Sequence, residues 1–284
     1  MDSRSLHAFL TLADTLHFGR AAKACFVSPS TLSRTINKLE ADIGVALFDR
    51  DNRHVALTKA GTLFRDYARE STSLWASFRN SLMDETRELT GEIAIYCSVT
   101  ASYSFLFELL NEFRARHPRI RVKLQTGDPE QAMNRVLSGD AQISIGARPP
   151  RLPSGLAFKH VASTPLVFIA SSDVPNLHAR TWLDRAMILP AAGVERARVD
   201  RWFADQGITP NLSAQVAGNE AIVSMVSLGS GIGVVPELVL ANSPLADHVS
   251  VLPVTPQLEP LDVGLFVQKK RLHDRVVAAL WSGQ

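Results

Sequence analysis

The sequence predicts an α+β protein: a small helical head closed by a short hairpin, one long helix, and a C-terminal α/β domain. Three observations predict it. Residues 1 to about 60 of the 284 carry short helical apolar patterns, 60 to 89 carry one long pattern, and 91 to 284 alternate short apolar strands with helical stretches. Hydrophobic residues make up 46% of the chain and charged residues 20%. That balance excludes an intrinsically disordered chain, and the length implies about two domains at roughly 100–200 residues each.

Ala21, Ala22 and Ala24 give a short helix of small side chains, which lets a second helix cross it closely. Cys25-Phe26-Val27 makes a tight turn, and Ser28 then caps a new helix with Pro29 at its first position. In that helix Leu32, Ile36 and Leu39 face inward, leaving Ser30, Thr31, Ser33, Arg34, Asn37 and Lys38 for the outer face and its start. Small residues at a crossing, apolar anchors beneath and short polar or basic side chains outside are the layout of a helix-turn-helix that enters a major groove. Charge agrees locally: between Asp14 and Glu40 stand Arg20, Lys23, Arg34 and Lys38 and no acid. Arg34 suits bidentate contact with guanine or a phosphate. A small helical bundle with an ordinary solvated face is the competing reading. The whole-chain net charge of +2 would not have shown a nucleic-acid partner.

Residues 47–58 read as two short strands around an Asp51-Asn52 turn, a wing that brings Arg50 and Arg53 toward the phosphates or the minor groove. Thr58 to Leu89 has one Gly near its start and no Pro, so it can run as one helix of about 45 Å at roughly 1.5 Å per residue. Its apolar stripe, Leu63, Tyr67, Leu74, Phe78 and Leu82 with Phe64 and Trp75 alongside, cannot be buried on itself. Dimerisation through this helix is expected; packing on its own C-terminal domain is the alternative.

Beyond residue 90 the strand-like runs are 92–97, 120–125, 142–146, 166–170, 214–217, 232–235 and 263–267. Asp128-Pro129 starts a helix that Gly139 ends. The glycines of LGSGIGVVP at 228–236 do not make a dinucleotide loop, because a helical run precedes them and a strand follows, the reverse of the required order. The eight histidines are dispersed without a pair at zinc-ligand spacing, and no nucleophile elbow appears. No catalytic, metal or cofactor site is therefore expected. Cys25 and Cys97 are too few for a disulfide framework; Cys97 is expected to be a buried small hydrophobe rather than a redox centre. Lacking secretory-signal features and any apolar run near 18 residues, the chain is expected in the cytoplasm, away from membranes.

FGRAAKACFVSPSTLSRTINKLEADIGVALFDRDNRHVALTKAG, at 18–61, resembles the N-terminal head of the LysR-type transcriptional regulators. The order of winged head, long helix and α/β domain is similar to that family from end to end. CSVTASYS at 97–104, TGD at 126–128 and KKRLH at 269–273 resemble a branch that activates the acetohydroxy acid isomeroreductase gene of branched-chain amino-acid synthesis. One departure is Thr35, where the family often carries Gln, so no base contact from that Gln carries over.

The resemblance implies a winged helix-turn-helix over 1–58, a linker helix over 59–90, and an effector-binding domain over 91–284 of the periplasmic-binding-protein type. Its lobe one would be 91–161 with 266–284, and lobe two 162–265. The ligand cleft between lobes would take a small organic acid. Hydroxyls of Ser98, Thr100 and Ser102 gather at a helix start, which suits a carboxylate or plain capping. Gly127, Arg148, Arg196 and Asn219 complete the expected set, the two arginines as positive charge. The implied partners are a double-stranded DNA operator, RNA polymerase and further copies of the chain as a homodimer or homotetramer. A cytosolic solute-binding module or enzyme with an incidental helical N-terminus is the reading from another class.

Overall fold

The computed structural model describes residues 2–50, 55–81, 89–174 and 182–283, and divides into two compact units, 1–87 and 88–284. In the first, α1 (Ser3–Thr15), α2 (Phe18–Ala24) and α3 (Pro29–Ile43) precede a hairpin of β1 (Phe48–Arg50) and β2 (Val55–Leu57), and then α4 (Lys59–Ser81). The hairpin pairs antiparallel, Phe48 opposite Leu57. Local chemistry sets each start: Asp2 caps α1 by accepting from Ser5 N, and Ser28 caps α3 by accepting from Thr31 N at 3.1 Å, with Pro29 first in the helix. Gly44, at φ 84°, ends α3 in the left-handed conformation that glycine adopts at no steric cost.

Ala21 and Ala22 are fully buried at the α2–α3 crossing, and Leu32, Ile36 and Leu39 join Phe9, Leu12, Leu47 and Phe48 in one core. Phe64 of α4 stands edge-on to Phe9 at 4.8 Å, so the linker helix begins as part of the head core. The rest of its stripe is exposed: Leu63, Tyr67, Leu74, Trp75 and Phe78 all face outward. Leu82 lies outside the described residues.

The second unit contains two sheets of five strands. β3 (Gly91–Cys97) is followed by a short helical turn, α5 (Val99–Ala101), a π-turn over Ser102–Leu106 and α6 (Phe107–Arg116). Then come β4 (Ile120–Thr126), α7 (Ala132–Leu137), β5 (Ile143–Ala147) and β6 (Leu156–Thr164). β7 (Leu166–Ser171), β8 (Met187–Pro190), α8 (Gly193–Asp205), β9 (Leu212–Val216), α9 (Asn219–Ser227), β10 (Ile232–Pro236), α10 (Glu237–Ala241) and β11 (Val249–Leu252) follow. β12 (Leu261–Gln268) and α11 (Arg275–Ser282) end the chain.

One sheet is ordered β4-β3-β5-β12-β6, the other β11-β7-β10-β8-β9, each with parallel strands on one side and antiparallel strands on the other. The chain passes from the first sheet to the second at Pro165 and returns between Leu252 and Leu261. β6 and β12 lie side by side in the first sheet, so that sheet reaches residue 164 and resumes at 261, rather than at the expected 161 and 266. β8 and β10 are buried at every position, as strands covered on both faces require. The helix–sheet approach is close: a Cβ on Gly233 would stand 2.7 Å from Ile222 and 2.8 Å from Val226 of α9. The returning segment is pinned by Trp202, whose indole N–H donates to Pro256 O at 2.8 Å while its ring packs on Phe168 at 5.0 Å.

Around 228–236 the helix does come first and the strand second, with Gly229 and Gly231 in the turn. Cys97 is fully buried, and burial pushes its thiol up to about 11, so the thiol form is favoured at neutral pH. No helix among the described residues is long and apolar enough to cross a membrane.

Candidate functional site

Two surfaces carry chemistry. On the head, the outer face of α3 presents Ser30, Arg34, Asn37 and Lys38, all exposed, with Ser33 half-buried. Ser28, Ser30 and Thr31 form a hydroxyl cluster: Ser28 Oγ lies 2.9 Å from Ser30 Oγ and 2.8 Å from Thr31 Oγ1. Arg34 Nε reaches Ser30 O at 3.4 Å, a contact that fixes its stem and leaves the guanidinium edge outward.

Two of the residues expected at the DNA also make hydrogen bonds within the head. Arg50 donates to Glu40 Oε2 at 2.5 Å and to Asn37 Oδ1 at 2.8 Å, and its guanidinium lies 5.3 Å from the Phe18 ring centre. It braces the wing against α3 rather than extending freely from it, and it occupies one acceptor of Asn37. Arg20, exposed, donates to Thr15 O at the end of α1 at 2.9 Å. Arg53 falls outside the described residues.

In the second unit a cleft runs between the sheets. An open hollow enclosing about 560 Å³, part of it bulk solvent, is lined by Pro129, Glu130, Met133, Ala147, the 190–195 segment and the 216–219 segment. Another of about 440 Å³ shares Pro129, Ala147, Glu195 and Asn219, and adds Ser98, Thr100, Phe105 and Thr164. Ser98, Glu130, Glu195 and Asn219 all follow the carboxyl ends of parallel strands, where open α/β sheets place their ligands.

The structure brings Ser98, Thr100 and Asn219 to this cleft and places the other four expected residues elsewhere. Ser102 Oγ donates to Val99 O at 2.6 Å, outside the lining. Gly127 leaves room for Tyr96: a Cβ there would stand 2.6 Å from the phenol oxygen, which donates to Asp128 O at 2.9 Å. Arg148 lies 5.7 Å from the Phe158 ring centre, a cation–π contact. Arg196 donates to Asp200 Oδ1 at 2.7 Å and to Pro190 O at 3.1 Å. No Lys, Arg or His lines either cavity among the described residues.

What takes their place is unexpected for an anion site. Glu195, in the first turn of α8, is 9% exposed and accepts from Asn219 Nδ2 at 3.3 Å. Burial pushes its carboxyl up to about 7; the Asn219 bond opposes that shift and the charges of Glu220 and Glu130 add to it. Near neutral pH this side chain is a hydrogen-bond donor for part of the time. α8 and α9 both begin at the cavity wall without a side-chain cap, whereas Ser98 Oγ already caps its own helical turn by accepting from Ala101 N at 3.1 Å. Sequence reading fell on Arg196 and passed over the acid immediately before it.

A winged helix-turn-helix followed in the chain by a long helix and a two-lobed domain with an open cleft defines a ligand-responsive DNA-binding regulator. The chain belongs to the LysR family: the lysR-family bacterial regulatory helix-turn-helix matches residues 3–62, and the LysR substrate-binding domain matches residues 86–282. It is 41% identical over 290 residues to the transcriptional activator IlvY of Salmonella typhimurium, covering 99% of this chain and 98% of that one. A full-length OxyR variant from Pseudomonas aeruginosa has the same fold, with TM-score 0.74 and 21% identity over 99% of this chain and 94% of that one. CbnR, solved in complex with its target DNA, superposes with TM-score 0.68 at 22% identity, over 99% and 98% of the two chains. The protein is a transcription regulator, not an enzyme.

Proposed function

We propose that this regulator activates the acetohydroxy acid isomeroreductase gene in response to acetolactate or acetohydroxybutyrate and represses its own gene. The observation that carries the reading is 41% identity across nearly the whole length to an IlvY activator, sensor lobes included. The cleft agrees with the ligand class. A small hydroxy-keto acid needs hydrogen-bond donors for one carboxylate and mixed partners for its hydroxyl and ketone. Uncapped first turns of α8 and α9 supply N–H donors, and Ser98, Thr100, Asn219 and a part-protonated Glu195 supply the rest. The cation expected from Arg148 or Arg196 is not required, because helix ends and neutral donors can satisfy a single carboxylate.

The exposed stripe of α4 fits pairing with a second copy of the chain, giving a homodimer and, through further contacts, a homotetramer. Paired heads read two half-sites, and ligand closure of the lobes alters their spacing and the bend of the operator before RNA polymerase, in the cytoplasm. That is a population shift, and it requires the inducer to prefer one lobe arrangement.

Two results test this reading. Millimolar acetolactate is expected to raise the melting temperature, by about 2–4 °C for each kcal/mol of linkage; an unmoved melt with both acids removes the inducer assignment. Arg34→Ala is expected to lower affinity for the duplex upstream of the isomeroreductase gene by roughly 10- to 100-fold while leaving that thermal shift intact. Equal binding of the unaltered protein to this duplex and to random DNA, at matched salt, would end the gene assignment.

A further inference from the structure

The start of the helical run after β3 is already occupied by a carboxylate, and it comes from the other lobe. Glu220 Oε1 accepts both the Thr100 N–H at 3.0 Å and the Thr100 hydroxyl at 2.5 Å. Thr100 is buried whereas Glu220 is exposed, so the donors are fixed and the acceptor is free to swing into solvent. One turn further on, Asn242 Nδ2, also from the second lobe, donates to Ser104 Oγ at 3.0 Å. A hydroxyl and an amide converging on one oxygen are the pair a ligand carboxylate would seek, and charge-assisted bonds of this kind are roughly twice as strong as neutral ones.

We propose that Glu220 is a built-in competitor for the ligand's carboxylate: it holds the Thr100 donors and ties the lobes together without ligand, and the incoming acid displaces it. The inference rests on the carboxylate-ligand reading above and adds how that site is regulated. Electrostatics favour the exchange. Glu130 and Glu195 already face the cavity, so a ligand carboxylate entering beside Glu220 would meet an acidic wall with no lining cation among the described residues. Expelling Glu220 toward water removes one negative charge as another arrives. Because one pair of donors serves both carboxylates, latch and ligand exclude each other. The lobe arrangement that Glu220 favours is thereby the one the ligand disfavours. The competitor also sets a threshold: only an acid that makes further contacts in the cleft recovers what is lost at Glu220.

Calorimetric titration of the full-length protein and of Glu220→Gln with acetolactate and, separately, pyruvate tests this. The variant is expected to bind each acid that binds at all about tenfold more tightly, a factor within the usual range for coupled sites, and by the same factor for both because both displace the same latch. Unchanged or weaker binding of both acids overturns the proposal, weaker binding marking Glu220 as a direct ligand contact. A gain for pyruvate with no acetolactate binding to either protein leaves the competitor standing and removes the inducer assignment. Amide exchange over 98–104 in ligand-free protein supplies a second readout. It is expected to quicken in Glu220→Ala, and unaltered exchange there shows that Glu220 does not hold the Thr100 amide and overturns the proposal.

Discussion

Glu195→Gln is expected to stabilise the effector-binding unit by about 3 kcal/mol above pH 7 and to do almost nothing at pH 4.5. The carboxyl rises from 4.5 to about 7 on folding because burial penalises its charged form. The folded state therefore binds this proton more tightly than the unfolded chain does. Its contribution is fully present below 4.5 and is lost as pH rises through 7, where a buried carboxylate stands beside Glu130 and Glu220. Glutamine has nearly the same shape, can still accept from Asn219 Nδ2 and never ionises. The comparison consequently isolates the charge. In thermal melts the gap between variant and parent should open from about pH 5 to about pH 8 and reach on the order of 6–10 °C. Parallel curves across that range would show that Glu195 is not buried in the folded protein as described. A natural chain that keeps such a cost in its ligand cleft fits the pattern in which strained ionisable groups gather at functional sites.

The parts legible in the sequence are those fixed by neighbours in the chain. The cap at Ser28, Pro29 after it, the small residues of α2 and the 32/36/39 spacing act within one or two turns, and each reappears in the fold. The same holds for the strand order that excluded a dinucleotide loop. What was not legible depends on partners distant in sequence. Arg50 reads as a phosphate contact until Glu40 and Asn37 of α3 close on it. Arg196 is the exception: Asp200, which takes its guanidinium, lies one turn along the same helix, a spacing the sequence does display. The Glu220–Thr100 contact joins residues 120 positions apart, and no periodicity announces it. β8 is four residues ending in Pro190, too short to show a pattern, yet its carboxyl end leads into the segment that carries Glu195.

The larger consequence for the head follows from that same clamp. Glu40→Ala is expected to destabilise the head by about 2–4 kcal/mol and to weaken operator binding although Glu40 faces the wing rather than the groove. Glu40 Oε1 accepts from Leu47 N at 2.8 Å and Phe48 N at 3.0 Å, while Oε2 holds Arg50. Side chains on both sides of the ion pair are mostly buried, 24% exposed for Arg50 and 15% for Glu40. Truncation would leave two backbone donors without their acceptor and the guanidinium with Asn37 in place of a carboxylate, the situation in which breaking a pair costs more than the pair contributes. Glu40→Gln separates the parts: its carbonyl oxygen can still accept from both backbone donors, while the amide nitrogen that replaces Oε2 can neither accept from Arg50 nor balance its charge, so it should recover about half of the stability. Operator affinity should follow the same order, since the wing and Asn37 are held by this cluster. If Glu40→Ala melts within about 1 °C of the parent protein, the clamp does not hold the wing, and Arg50 returns to the list of residues free to meet the phosphates.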